Sequence, residues 1–164
     1  IEKQHLKRER LILDFGRLEY AIENDLTERS SQLAEQLLSF EFTQDQDIEL
    51  PWMLNLCAEM LIARDEGLKA DAFLQRASQL SSASGLIPEL TVTLSLQGRR
   101  KYAEGDYEGC FAAYKKALQM CKEVCENIRR AEDRSFYQAK RTVRFLAVEI
   151  KKLSRRVVEK QRAG

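Results

Sequence analysis

The chain of 164 residues is rich in charge, at 32%, and poor in helix breakers, with two prolines and seven glycines. This composition favours one helical domain with a sizeable core, and no apolar run approaches the ~18 residues of a membrane-spanning helix. Charge is distributed unevenly, because residues 1–128 carry 15 Lys or Arg against 22 Asp or Glu, whereas residues 129–164 carry 12 against 4. The sequence therefore predicts a basic C-terminal helix that follows an acidic body.

The first predicted hairpin, 1–41, consists of two amphipathic helices. Apolar side chains at helical spacing predict the first helix over residues 2–23. Its inward stripe consists of Leu11, Phe15, Leu18 and Ile22. The second helix is predicted over residues 26–40, and Asp25 with Glu28 resembles a capping box at its start.

A second hairpin is predicted over residues 51–81, after an acidic loop. Pro51 fits the first turn of its first helix. The Asp65-Glu66-Gly67 turn follows, and the second helix is predicted to run to about Leu80. The next five residues, SSASG (81–85), are predicted to form a flexible linker.

A third hairpin is predicted over residues 87–131. Pro88 opens its first helix, and the Gly105-Asp106-Tyr107 turn separates two segments of helical period. Gly98 and Ala117 are small residues on the two helices, and small residues let two helix backbones come close. The pattern is typical of an antiparallel helical hairpin.

This third hairpin resembles a tetratricopeptide repeat. The residues that match the motif of that family are Gly98, Tyr102, the Gly105-Asp106-Tyr107 turn, Tyr114 and the Ala117-Leu118 pair. A degenerate copy lies 40 residues upstream, against a usual period of about 34 residues, and its matching residues are Leu54, Ala58, Ala70, Leu74, Ala77 and Leu80. The resemblance implies an all-α fold in which antiparallel helical hairpins stack as a short solenoid with a long C-terminal helix.

The resemblance also implies a binding surface, because the first helix of each repeat lines a concave groove in this family. The candidate groove residues are Trp52, Asn55, Glu59 and Ile62 in one copy, and Val92, Ser95, Arg99 and Tyr102 in the next. The alternative is that Trp52 and Tyr102 pack inside the protein and that no groove is open. The Lys and Asn pattern with which some family members hold a terminal carboxylate is not reproduced.

Residues 133–164 are predicted to form a long basic helix whose apolar seam steps by three and four residues. The seam consists of Phe136, Ala139, Val143, Leu146, Ile150, Leu153 and Val157. Its first half is expected to cap the hairpins. The β-branched residues at one seam position and Leu at the other favour a two-stranded coiled coil, so Ile150, Leu153 and Val157 are candidates for contact with a partner helix or a second copy in a weak homodimer. The Arg and Lys residues on the outer side are interpreted as solvated charge, which makes nucleic-acid binding the less favoured reading.

The four cysteines and the single histidine, His5, lack the paired spacing that zinc sites typically show. Cys57, Cys110, Cys121 and Cys125 are therefore expected to be reduced core residues. Free cysteines also favour a cytoplasmic location, and neither a metal nor another cofactor is expected.

No catalytic combination of residues is recognisable, so the sequence does not predict an enzyme. The favoured function is a protein–protein interaction module, either a scaffold or a regulatory domain, that binds a peptide or a partner helix. The alternative is a sensor or dimerisation segment of a larger bacterial-type signalling protein that feeds a C-terminal output domain. A third reading is nucleic-acid binding through the basic C-terminal helix.

Overall fold

The computed structural model describes residues 2–24, 27–38, 49–133 and 140–163, and for residues 2–7 and 156–163 it describes the backbone only. Over this part of the chain the fold is all-α, as predicted, and contains no strand. The long helices in chain order are α1 (Glu2–Glu23), α2 (Thr27–Leu38), α3 (Leu50–Ala63), α4 (Gly67–Ser84), α5 (Ile87–Ala103), α6 (Tyr107–Asn127) and α7 (Arg141–Ala163). The chain divides into two compact units, Ile1–Ala77 and Ser78–Gly164.

The core of the first unit lies where α1, α2 and α3 meet. Phe15 and Leu18 of α1 are fully buried there, and Leu11 and Ile22 pack against them, which confirms the predicted inward stripe. The buried residues of this core are Phe15, Leu18, Ala34, Leu37, Met53, Leu56, Cys57 and Met60. The amphipathic pattern of α1 therefore positions the whole helix by burial of one face.

α3 is buried around its circumference rather than along one stripe. Pro51 lies in its first turn, as predicted. From Leu50 to Leu61 every side chain except that of Trp52 is buried, because apolar residues occupy most positions on all sides of the helix.

The same backbone motif ends α3, α4 and α5. A residue with positive φ follows each helix: Asp65 at 60°, Gly85 at 65° and Gly105 at 79°. In each case the next residue donates its backbone N–H to the carbonyl five positions earlier, at 2.8 to 2.9 Å. This is the Schellman arrangement, in which a left-handed residue lets the last helical carbonyls be hydrogen-bonded. Glycine adopts that conformation at two of the three positions without a steric penalty.

The prediction of a flexible linker over residues 81–85 is wrong. α4 continues without a break to Ser84, and only Gly85 leaves the helix. Ser81 is fully buried, so tertiary packing holds a segment whose composition alone favours a turn. α4 therefore extends beyond the end that was predicted for it near Leu80.

The core of the second unit lies between α5, α6 and α7. Its buried residues are Leu94, Cys110, Tyr114, Ala117, Cys121, Leu146 and Leu153. Ala117 is fully buried at this junction. α5 and α6 form the predicted antiparallel hairpin, since a connection of only three residues, 104–106, reverses the chain between them.

The last part of the chain differs from the prediction in its boundaries. α6 ends at Asn127, and α7 begins at Arg141 rather than near residue 133. Several predicted features lie outside what the structure describes: the cap at Asp25, the end of the second helix at Phe40, residues 41–48 of the acidic loop predicted over 41–50, seam residues Phe136 and Ala139, and the side chain of Val157.

Candidate interaction surfaces

The turn between α5 and α6 is held by a capped helix start. Asp106 precedes α6, and its Oδ1 accepts a hydrogen bond from the backbone N–H of Gly109 at 2.8 Å. Lys101 Nζ lies 3.2 Å from Asp106 Oδ2. The carboxylate therefore satisfies a free N–H at the start of α6 and fixes the end of α5 beside it.

The two helices of this hairpin approach closely at Gly98. A Cβ placed on Gly98 would come 2.5 Å from Cδ1 of the Tyr114 ring, closer than real Cβ atoms lie to neighbours. Tyr114 is itself buried, and its ring meets that of Phe145 edge-on, with 5.6 Å between the two ring centroids. Gly98 thus provides the space that the tyrosine ring occupies, as its small size predicts.

The candidate groove residues of α5 divide into a buried and an accessible part. Ser95 is buried, whereas Val92 and Arg99 are half-buried. Tyr102 is 38% exposed, and its ring meets that of Tyr107 edge-on at 5.3 Å. Accessible surface on this face of α5 therefore increases toward the turn.

The candidate groove residues of α3 lie in or close to the interior. Asn55 and Glu59 are buried, and both take part in interactions within the protein. Trp52 packs against the core of the first unit and meets Phe15 edge-on at 6.0 Å, and Ile62 is half-buried. Because a groove residue must offer surface to a ligand, these residues leave α3 a poorer candidate than the accessible end of α5.

The described part of the apolar seam of α7, from Val143 to Leu153, packs against its own chain. Leu146 and Leu153 are fully buried in the core of the second unit, and Val143 and Ile150 pack against that core from its edge. This burial agrees with the expected capping role and extends it to Leu153. A dimer contact through Ile150 and Val157 stays a prediction.

Burial lowers the acidity of the Cys57 and Cys110 thiols. Burial raises the pKa of Cys57 to about 12, and burial likewise raises the pKa of Cys110. The pKa of Tyr114 is raised by burial first, then by charge repulsion from Cys110, and then by its hydrogen bond with Cys110. Since the thiolate is the reactive form of cysteine, burial disfavours nucleophilic chemistry at Cys57 and Cys110.

One further surface was interpreted from the sequence as solvated charge. The outer side of α7 carries exposed basic residues in a regular row, with the exposed Val148 in its middle. The signal was present in the sequence as a second three-and-four spacing, offset from the apolar seam.

Comparisons with protein family models, with curated proteins and with solved structures found no match for the chain. Within the part of the chain that the structure describes, no helix is long and apolar enough to cross a membrane. No three His, Cys, Asp or Glu side chains among the described residues are grouped so that they could hold a metal ion.

Proposed function

We propose that the chain is a protein–protein interaction module built from tetratricopeptide-like hairpins, which binds a peptide or a partner helix. The observation that supports this proposal best is the regular spacing of the turns in two consecutive helix–turn–helix segments. α3 and α5 end 40 residues apart, at Ala63 and Ala103, and α4 and α6 begin 40 residues apart, at Gly67 and Tyr107. The positive-φ residues between them, Asp65 and Gly105, are also 40 apart.

A repeated helical hairpin suits binding rather than chemistry. Each such unit buries one face against its neighbour and leaves a face of its first helix for a ligand. The fully buried Leu146 and Leu153 of α7 support this reading, because a terminal helix that covers the last hairpin is the cap that repeat arrays need.

The surface that we propose for the partner is the accessible end of α5, around Arg99 and Tyr102. Tyrosine and arginine are the side chains that most often dominate the energy of protein interfaces. The edge-on contact of Tyr102 with Tyr107 restricts the ring before any partner arrives. A restricted ring loses less conformational entropy on binding.

The proposal can be tested by affinity capture with the purified chain, followed by identification of the captured protein. The test variant is Arg99→Ala with Tyr102→Ala, and the matched control is Arg10→Ala with Tyr20→Ala on exposed positions of α1. The test variant should lose the partner while the control retains it, and both should keep the helical circular dichroism signal of the wild type. Equal capture by the test variant and the wild type would refute a role for this surface.

A further inference from the structure

The outer side of α7 presents a row of exposed residues opposite its buried seam. The row steps by three and four residues and consists of Arg141, Arg144, Val148, Lys151 and Arg155. At 100° per residue these five positions lie within an arc of about 80°, and at 1.5 Å per residue they span ~21 Å. The row is therefore straight, narrow and almost entirely cationic.

The two cations on either side of Val148 are not neutralised by the rest of the described chain. Arg144 and Lys151 form no ion pair with any residue that the structure describes. The nearest carboxylate along the helix, Glu149, already pairs with Lys152 at 2.6 Å. From residue 141 to 163 the helix carries eight Lys or Arg against two Asp or Glu, so the row attracts a partner of negative charge.

The middle of the row favours one class of negative partner. Val148 is 52% exposed between the basic residues, and a phosphate backbone does not bury an aliphatic side chain. Single-stranded nucleic acid also requires aromatic side chains on which bases can stack. The aromatic residue of α7, Phe145, is half-buried, and the centroid of its ring lies 5.6 Å from that of Tyr114 instead.

We propose that the Arg141–Arg155 row of α7 binds an acidic amphipathic helix of a protein partner. Carboxylates at three-and-four spacing on such a helix face the cations, and an apolar residue in their middle covers Val148. Opposite charges beside an apolar contact set partner choice between paired helices in the same way. This inference rests on the proposed interaction function, but it concerns a surface other than Arg99 and Tyr102.

The test uses a labelled synthetic helical peptide of about 15 residues, which matches the ~21 Å row. The peptide has Glu at three-and-four spacing with one central Leu, and a scrambled peptide of the same composition controls for charge alone. Binding is measured by fluorescence anisotropy with the purified chain at low salt. A short DNA duplex, a single-stranded oligouridylate and phosphatidylserine vesicles serve as competing anionic probes.

The decisive variant is Arg144→Glu with Lys151→Glu, and its charge-matched control is Lys115→Glu with Lys116→Glu on the exposed side of α6. The test variant should bind the patterned peptide roughly tenfold more weakly or worse, because like charges then face each other. The control should bind within about twofold of the wild type, since the row itself is unchanged. Val148→Ser should weaken the patterned peptide roughly threefold and leave the nucleic-acid probes unaffected.

The proposal is overturned if the scrambled peptide binds as well as the patterned one, or if both double variants lose affinity equally. It is also overturned if DNA, RNA or vesicles bind more tightly than the peptide and Val148→Ser has no effect. Arg99→Ala with Tyr102→Ala should leave peptide binding intact, so failure at one surface can be told from failure at the other. Circular dichroism of each variant shows whether the helices are retained.

Discussion

Gly98→Ala is the substitution whose effect follows most directly from the structure. In the interior of a helix, alanine is more favourable than glycine by about 0.8–1.0 kcal/mol. At this position, however, the new methyl group would overlap the ring of Tyr114. The ring cannot easily move, because it is buried and packed edge-on against Phe145. Overpacking of this kind costs about 1–3 kcal/mol, so we expect a net loss of up to about 2 kcal/mol.

Gly16→Ala provides the matched control in α1. A Cβ on Gly16 would meet no atom within 4 Å, so the same substitution should stabilise the protein by about 0.8–1.0 kcal/mol. Urea denaturation followed by far-ultraviolet circular dichroism gives both free energies of unfolding. The two glycine substitutions should therefore change stability in opposite directions and differ by about 1–3 kcal/mol.

A third measurement assigns the effect to the ring. In a Tyr114→Ala background the overlap is gone, so Gly98→Ala should become stabilising there, with a coupling energy of about 1–3 kcal/mol. If Gly98→Ala stabilises the otherwise unchanged protein as much as Gly16→Ala does, the close approach of α5 and α6 is refuted. The same result would remove the main packing argument for a repeat-like hairpin.

Three further predictions concern a cap, a buried hydroxyl and a thiol. Asp106→Ala should destabilise the protein by about 0.5–2 kcal/mol in urea denaturation, because the N–H of Gly109 loses its acceptor. Ser81→Ala should raise the melting temperature, since the buried Ser81 hydroxyl has no hydrogen-bond partner in the described part of the chain; Ser30→Ala should lower it or leave it unchanged, because that hydroxyl donates to a backbone carbonyl at 3.0 Å. Burial raises the pKa of Cys57 from 9.0 to about 12, so the folded state holds the thiol proton more tightly than the unfolded chain does. The stabilisation that this gives the folded state is intact below pH 9, and it is lost as the pH rises from there toward about 12, by at most ~1.4 kcal/mol per pH unit. Cys57→Ala should show a correspondingly shallower loss of stability between about pH 9 and 11 in urea titrations, and an unchanged slope would contradict the assignment.

The features that the sequence predicted correctly have local chemical causes. Pro51 and Pro88 lie in the first turns of their helices, because proline lacks the N–H that a first turn does not use. Gly105 and Asp106 form the predicted turn since one residue adopts positive φ and the next caps a helix. Each of these effects needs only a few neighbouring residues, so it can be read without knowledge of the tertiary fold.

The features that were not predicted depend on distant parts of the chain. The serines of residues 81–84 read as a linker, yet they continue α4, because the burial of Ser81 outweighs a weak local preference. The polar residues Asn55 and Glu59 read as candidates for a groove, yet they are buried. Periodicity shows which residues share a face of a helix, but the surface that covers that face is a property of the folded chain.

α7 shows most clearly how this distinction bears on function. Its apolar seam was open to two interpretations, since a stripe of this kind can be covered by a neighbouring helix or by another molecule. The full burial of Leu146 and Leu153 assigns their part of the seam to the protein's own core. A helix that uses this face for folding has its opposite face left for contact with other molecules, and that face carries the basic residues around Val148. The charge that sequence analysis assigned to solvation is therefore the part of α7 that we propose as the selector of a partner.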